Sequence, residues 1–336
     1  MEYRRLGDSG LKVSPLCLGT MMFGDQTDAK TAGRILDSAS EAGVNFLDTA
    51  DSYANGESER ITGKLIAKDR DRWVLATKCA NPWGKDPNAV GTSRKWILRA
   101  VDASLSRLGT DYVDVLYMHR DDEATPVSET VMALADVMRA GKVRYIGLSN
   151  YRAWRMVKFI ETCDRLMVPR PIVMQPYYNA MNRMPEVELL PACAAYGVGV
   201  VPYSPLARGV LTGKYSPGEK PAAGTRAGRA DRRMMETEWR PESLRIAQKV
   251  KVHAEKRGMT AGQFAVLWVL NNGLVTSVIA GPRTVEQWDD YLGALQHQFT
   301  ARDEAVIDRH VPAGHPSTPG YTDPSRPVTG RAPRTA

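Results

Sequence analysis

One punctuation recurs along this chain of 336 residues, and it leaves few folds open. A segment with helical spacing of apolar residues ends at a glycine, and a short apolar run follows. Ala32, Ile35, Leu36, Ala39 and Ala42 share one helical face before Gly43. Ile97, Val101, Leu105 and Leu108 precede Gly109; Val131, Leu134 and Met138 precede Gly141; Val187, Leu190 and Ala194 precede Gly197. Apolar residues three and four apart make the buried face of a helix, and the glycine stops it. The intervening runs predict eight strands, at 16–19, 45–48, 73–78, 113–118, 143–148, 172–175, 198–202 and 275–280. They are continuously apolar rather than alternating, as parallel strands covered on both faces are. Eight βα units in one series predict an α/β chain folded as a single (β/α)8 TIM barrel. A doubly wound open sheet would carry a glycine-rich phosphate turn after its first strand. Here that turn reads Gly-Thr-Met-Met-Phe-Gly, with no GxGxxG.

Runs at 3–6 and 11–14 flank Asp8-Ser9-Gly10 and predict an N-terminal β-hairpin. Thr260 and Gln263 have capping-box spacing for a helix whose Phe264, Leu267 and Trp268 are core residues. Two segments break the rhythm: a polar insertion at 204–241 and a Pro/Gly-rich stretch from 311 to the end. Long loops in a barrel are lids, binding loops or tails. The division expected is a barrel over 1–311 and a C-terminal loop and tail over 312–336. The insertion is expected to help hold a cofactor. The early tail is expected to cross the barrel mouth, and its last ten or so residues to be mobile.

The net charge of +7 invites an anionic partner, but the Lys and Arg residues are scattered and no nucleic-acid motif is present. An anionic small ligand accounts for the excess. Cys17, Cys79, Cys163 and Cys193 lack both metal-ligand and disulfide-framework spacing, so four reduced thiols, most of them buried, are expected, and no metal. The N-terminus has no apolar signal region, and no apolar run is long enough to span a bilayer. A cytoplasmic, non-membrane protein is expected; oligomeric state stays open, a homo-oligomer included.

In a barrel of this kind the chemistry sits where the strands end. The second strand ends in Asp48, with Tyr53 five residues on; the third ends in Lys78 and the fourth in His119. The fifth leads to Ser149 and Asn150, the sixth to Gln175, the seventh to Tyr203 and Ser204, and the eighth to Gly281 and Arg283. A phenol is a weak acid, with a pKa of about 10, and a neighbouring ammonium is expected to lower it. Lys78 supplies that ammonium, Asp48 its counter-charge, and His119 a hydrogen bond for a substrate oxygen. Such a set suits proton donation to a carbonyl being reduced by hydride.

The quoted runs also carry a resemblance. FLDTADSYANGESERITGKLI, LATK, LYMHR, GLSN and YSPLARGVLTGKY resemble, in order and spacing, the motifs of the aldo-keto reductase family. YSPLARG and QPYYNAMNR are most similar to the branch that includes potassium-channel β-subunit-like proteins. The resemblance implies NADPH-dependent reduction of an aldehyde or ketone, with Tyr53 as general acid and Asp48, Lys78 and His119 beside it. It implies that Ser149, Asn150 and Gln175 bind the nicotinamide carboxamide and that Tyr203 stacks on the ring. Ser204, Leu206, Arg208 and Gly209 would run beneath the pyrophosphate. Gly281, Arg283 and Gln287 would hold the adenosine end, and Arg283 favours the 2′-phosphate of NADPH over NADH. Relatives have Ile-Pro-Gly and a later Asn where this chain has Ile279-Ala280-Gly281 and Tyr291; that Tyr would then meet the adenine. Met21, Met22, Phe23 and Trp83, on loops at the mouth, are read as substrate-pocket residues for a small-molecule carbonyl, with packing as the alternative for Trp83.

Other residues receive plainer readings. His253, His297, His310 and His315 read as surface residues, and Arg226, Arg229, Arg232 and Arg233 as a solvated loop face, with contact to a cofactor phosphate as the alternative. Two other functions remain: a low-turnover NADP(H)-sensing subunit, and a dehydrogenase running toward the carbonyl.

Overall fold

The computed structural model describes residues 1–328. The hairpin pairs β1 (Arg4–Arg5) with β2 (Lys12–Val13). The barrel strands follow: β3 (Leu16–Gly19), β4 (Phe46–Asp48), β5 (Val74–Cys79), β6 (Val113–Met118), β7 (Val143–Ser149), β8 (Val173–Gln175), β9 (Gly199–Val200) and β10 (Val278–Ala280). All neighbours run parallel in chain order, and β10 returns to pair with β3. The Thr276 amide donates to the Val200 carbonyl at 2.8 Å and Ile279 to Pro202 at 2.9 Å, which closes the ring. Eight strands with alternating helices make the (β/α)8 fold.

Helices α1 (Ala29–Glu41), α2 (Glu57–Ile66), α3 (Arg94–Leu108), α4 (Val127–Arg139), α5 (Ala153–Arg165) and α6 (Leu189–Ala195) fill the first six crossovers. The insertion after β9 carries α7 (Arg232–Thr237) and α8 (Pro241–Lys256); α9 (Ala261–Asn271) leads to β10, and α10 (Val285–Ala294) and α11 (Ala301–Asp308) follow it. The capping box at Thr260 and Gln263 forms with both hydrogen bonds. Of the expected helical residues, Ala42 is the C-cap of α1 and Val187 lies outside the helices. Val187 is exposed because α6 starts only at Leu189. Pro191 lacks an N–H and fits only in the first turn of a helix, so the helix cannot begin much earlier.

The core has two parts. One lies between strands and outer helices, with Leu36, Ile97, Leu134, Phe264 and Trp268. The other fills the barrel, with Cys17, Phe46, Val74, Ala76, Val115, Tyr117, Val173, Val201 and Ile279. Side chains two apart on a strand share a face. Continuing each interior series by one step gives Gly19, Asp48, Lys78, His119, Gln175, Tyr203 and Gly281. The polar rim is therefore the last layer of the barrel interior. Gly147 makes this stacking possible: a Cβ there would lie 2.4 Å from the Tyr117 ring.

The hairpin plugs the opposite end. Leu6 and Val13 are fully buried in the interior cluster. Gly7 has φ +59°, and a Cβ on it would meet the Ile172 and Gly197 carbonyls at 2.4 and 2.6 Å. Among the described residues the hairpin closes that end, which leaves the C-terminal face for ligands. The four cysteines are buried and unbonded. No helix among the described residues is long and apolar enough to cross a membrane. The expectation for the last ten residues falls largely outside the described residues, whereas the tail up to 328 does lie against the mouth. Arg240 stacks under the Tyr321 ring at 3.9 Å and donates to Ser317 Oγ at 3.1 Å.

Candidate active site

Lys78 is fully buried and Asp48 is 2% exposed, and they form an ion pair. The Lys78 ammonium donates to Asp48 Oδ1, to the Thr49 carbonyl at 2.8 Å and to Tyr53 Oη at 3.1 Å. All three of its hydrogens are thereby used. Burial alone would lower the Lys78 pKa; the Asp48 carboxylate and Tyr53 outweigh it and push it up to about 12. The lysine is a fixed cation.

The expected lowering of Tyr53 does not occur. Burial raises its hydroxyl above the ordinary phenol value, and the opposing pull of Lys78 is smaller. The residue is a proton donor through the neutral range. Because its oxygen accepts from Lys78, its own proton is left for the cavity. His119 is packed edge-on to Tyr53, with ring centroids 5.8 Å apart. Burial, then Lys78, Arg326 and Arg120, hold its imidazole well below its ordinary pKa, so it is neutral. Asn81 Nδ2 donates to His119 Nδ1 at 3.0 Å, which places the ring proton on Nε2.

Tyr53, Asn81 and His119 floor a cavity of about 560 Å³ that runs past Tyr203 to Arg283 and Tyr291. Asp48, Ser149, Asn150, Gln175, Ser204, Leu206, Arg208, Gly209, Gly281 and Gln287 also line it. Several are already engaged with one another. Gln175 Nε2 donates to Asp48 Oδ2 at 2.8 Å, Ser149 Oγ to the Gln175 carbonyl at 3.0 Å, and Tyr203 Oη to Asn150 Oδ1 at 2.9 Å. Gln287 Oε1 accepts the Arg283 amide at 2.8 Å and so holds the loop that carries that arginine.

Of the four pocket residues, Met21 lines the cavity and the other three do not. Phe23 is fully buried and Met22 nearly so, while Met21 faces the cavity. A turn closed by Phe23 N to the Thr20 carbonyl, 2.9 Å, carries those two side chains inward. Trp83 instead covers Arg107, whose guanidinium lies 4.8 Å from its ring centroid. The arginines of the insertion also depart from expectation. Arg226 and Arg233 line the cavity, whereas Arg229 and Arg232 are exposed as expected. His253 is not free either: its Nε2 bonds Asp303 at 2.7 Å.

Sequence reasoning missed Asn81, Thr212, Lys214, Asp290, Ser325 and Arg326, all of which line the cavity. Asn81 stands two residues past the end of β5, a position that could have flagged it. Arg326 lies in a segment without periodicity, and no local signal marks it. Asp51 was missed for another reason: the motif hides it. It is 1% exposed, both carboxylate oxygens lack a partner, and burial, then Glu59, push its pKa up to about 7 against Arg107.

A pH effect on stability follows. Between about pH 4 and pH 7 the folded chain keeps a proton on Asp51 that the unfolded chain has released. Stability falls as pH rises through that window, and the penalty is complete above it. Asp51→Asn is expected to stabilise the fold at pH 8 by on the order of 2 kcal/mol and hardly at all near pH 4. Thermal unfolding of both proteins at the two pH values checks this; equal gains at both would refute it.

The match to known proteins agrees with this geometry. The model of the Aldo/keto reductase family matches residues 15–312. The chain belongs to the aldo/keto reductase family. It is 40% identical to the "Probable voltage-gated potassium channel subunit beta" of Arabidopsis thaliana, covering 88% of this chain and 91% of that one. It is 36% identical to the L-glyceraldehyde 3-phosphate reductase of Escherichia coli K12, covering 94% and 93%. It is also 36% identical to the versiconal hemiacetal acetate reductase of Aspergillus parasiticus, covering 94% and 99%. Oxidoreductases thus recur among its relatives, and the channel-subunit branch is represented as well.

Proposed function

We propose that this aldo/keto reductase uses NADPH to reduce the carbonyl of an aldehyde or ketone, with Tyr53 as the proton donor. The observation that carries this reading is the hydrogen-bond direction at Tyr53, whose oxygen accepts from Lys78 and whose proton is left for the cavity. A carbonyl oxygen seated between Tyr53 and neutral His119 would take the Tyr53 proton while Nε2–H of His119 holds it in place. When bound, the nicotinamide supplies the hydride. Lys78, held in place by Asp48, then stabilises the phenolate that remains, and solvent restores its proton.

The cavity chemistry fits the cofactor. One end presents amide and hydroxyl groups at Ser149, Asn150 and Gln175; the other collects Arg208, Lys214, Arg226 and Arg283. Burial, then Arg283 and Arg226, lower the Lys214 pKa, as in a cation cluster short of anions. Gly281 leaves the floor bare, with nothing within 3.9 Å of where a Cβ would stand. Arg226 and Arg283 are the residues we assign to the 2′-phosphate. Arg283→Ala and Arg226→Ala are each expected to raise the KM for NADPH about tenfold or more and that for NADH much less, since each removes a charge-assisted contact. Equal effects on both cofactors would remove this assignment.

The founding test is loss of NADPH absorbance across small aldehydes and bulky ketones, with NADH in parallel. Tight NADPH binding with no turnover on any carbonyl would favour a cofactor-sensing subunit; the plant relatives are named as probable channel subunits. A relative named as a putative aryl-alcohol dehydrogenase, 34% identical, makes the corresponding alcohols a necessary part of the panel.

A further inference from the structure

The tail brings a cation into the cavity near His119. Arg326 lines the cavity together with His119, Asn150, Tyr203 and Arg233. Its Nη1 donates to the Asn150 carbonyl at 2.8 Å, and Arg152 grips the tail by donating to the carbonyls of Arg326 and Pro327 at 3.1 and 2.9 Å. Its position is thus fixed from both sides. The Asp323 carboxylate is 3.9 Å from its Nε and is already claimed by Arg233, with contacts of 3.1 and 2.6 Å. Among the described residues, Nε of Arg326 is buried and has no hydrogen-bond partner. Asp121, another acid beside the mouth, is taken by a two-pronged contact from Arg155, at 2.7 Å twice.

A buried guanidinium donor without an acceptor is costly unless a ligand supplies one. The guanidinium is a planar fork of donors that matches the oxygens of a carboxylate or phosphate two at a time. We propose that Arg326 is a specificity-determining residue that binds an anionic group, a carboxylate or phosphate, on the carbonyl substrate. The substrate class is then an aldehyde or ketone whose acidic group sits a few bonds from the reacting carbonyl. This rests on the carbonyl-reductase reading above and narrows it.

Matched pairs test it. At saturating NADPH, kcat/KM is measured for glyceraldehyde 3-phosphate against glyceraldehyde, and for 4-carboxybenzaldehyde against its methyl ester. The full chain is compared with Arg326→Met and Arg326→Lys. The native protein is expected to prefer one acidic member, and which pair shows it tells phosphate from carboxylate. Arg326→Met should cut the acidic-to-neutral ratio by roughly 10–100-fold, mainly through KM, and Arg326→Lys should restore part of it. An unchanged ratio in Arg326→Met, or a rise in the KM for NADPH that accounts for the loss, would overturn the proposal; the second result would give Arg326 to the cofactor. If no carbonyl is turned over, the reductase reading fails, and calorimetry on the NADP-loaded protein decides Arg326 by itself. Tighter binding of 4-carboxybenzyl alcohol than of benzyl alcohol, lost in Arg326→Met, supports it. Equal binding refutes it.

Discussion

Tyr53→Phe should lower carbonyl reduction by about a thousandfold while leaving NADPH affinity within about twofold, because a positioned general acid is worth roughly 10²–10⁴ in rate. The ring that packs against His119 is kept, and the cavity keeps its lining. Only the hydroxyl goes. Lys78 loses one of three acceptors but retains Asp48 and the Thr49 carbonyl, so the ammonium stays paired and the fold should survive. His119 cannot replace the phenol as acid. It is neutral, and surrendering its Nε2 proton would leave a buried imidazolate. The measurement is kcat with the best substrate of the panel, together with NADPH binding followed by quenching of intrinsic fluorescence. A variant that kept more than about a tenth of native kcat would remove Tyr53 from the role given to it. A large loss of NADPH affinity would instead recast the hydroxyl as a cofactor contact.

The sequence carries the barrel almost completely because its physics is local and repeated. Each glycine stop and each apolar run is decided within a few residues, as at Gly109 before β6. The rim is legible for a related reason. Asp48, Lys78 and Gln175 continue an interior alternation whose earlier members are visibly apolar, and a polar residue at the end of such a series stands out. What could not be read depends on loop rotation and on long-range packing. One turn at Thr20–Phe23 decides that Met21, not Met22 or Phe23, sees the cavity. Arg226 and Arg233 look like solvated charges until the insertion folds back, and Asp323, far along the chain, pairs with Arg233. The Tyr53 pKa departs from expectation on a matter of magnitude. The Lys78 charge is foreseeable, but the depth of burial that outweighs it is a property of the folded barrel.

The Lys78–Asp48 pair allows stability and catalysis to be separated. Lys78→Met should destabilise the fold by about 3–5 kcal/mol, because it strands the Asp48 carboxylate in the barrel with Gln175 Nε2 as its remaining side-chain donor. Asp48→Asn should cost somewhat less, since the ammonium keeps the Thr49 carbonyl and the Tyr53 oxygen. The double variant, Lys78→Met with Asp48→Asn, leaves neither half of this pair as a stranded charge. Replacing a buried ion pair by neutral groups of similar volume is often close to neutral, so its stability should recover most of the loss of the Lys78 variant. Its activity should not recover. Without the ammonium, nothing stabilises the Tyr53 phenolate formed on proton transfer, and burial alone opposes it. Urea unfolding and kcat on all four proteins measure both quantities. A double variant as unstable as Lys78→Met would mean that the methionine fits badly and that charge is not the cause. A double variant with native kcat would mean that Tyr53 needs no cation. Recovery of stability without recovery of rate would show that the barrel tolerates the pair for its chemistry rather than for its fold.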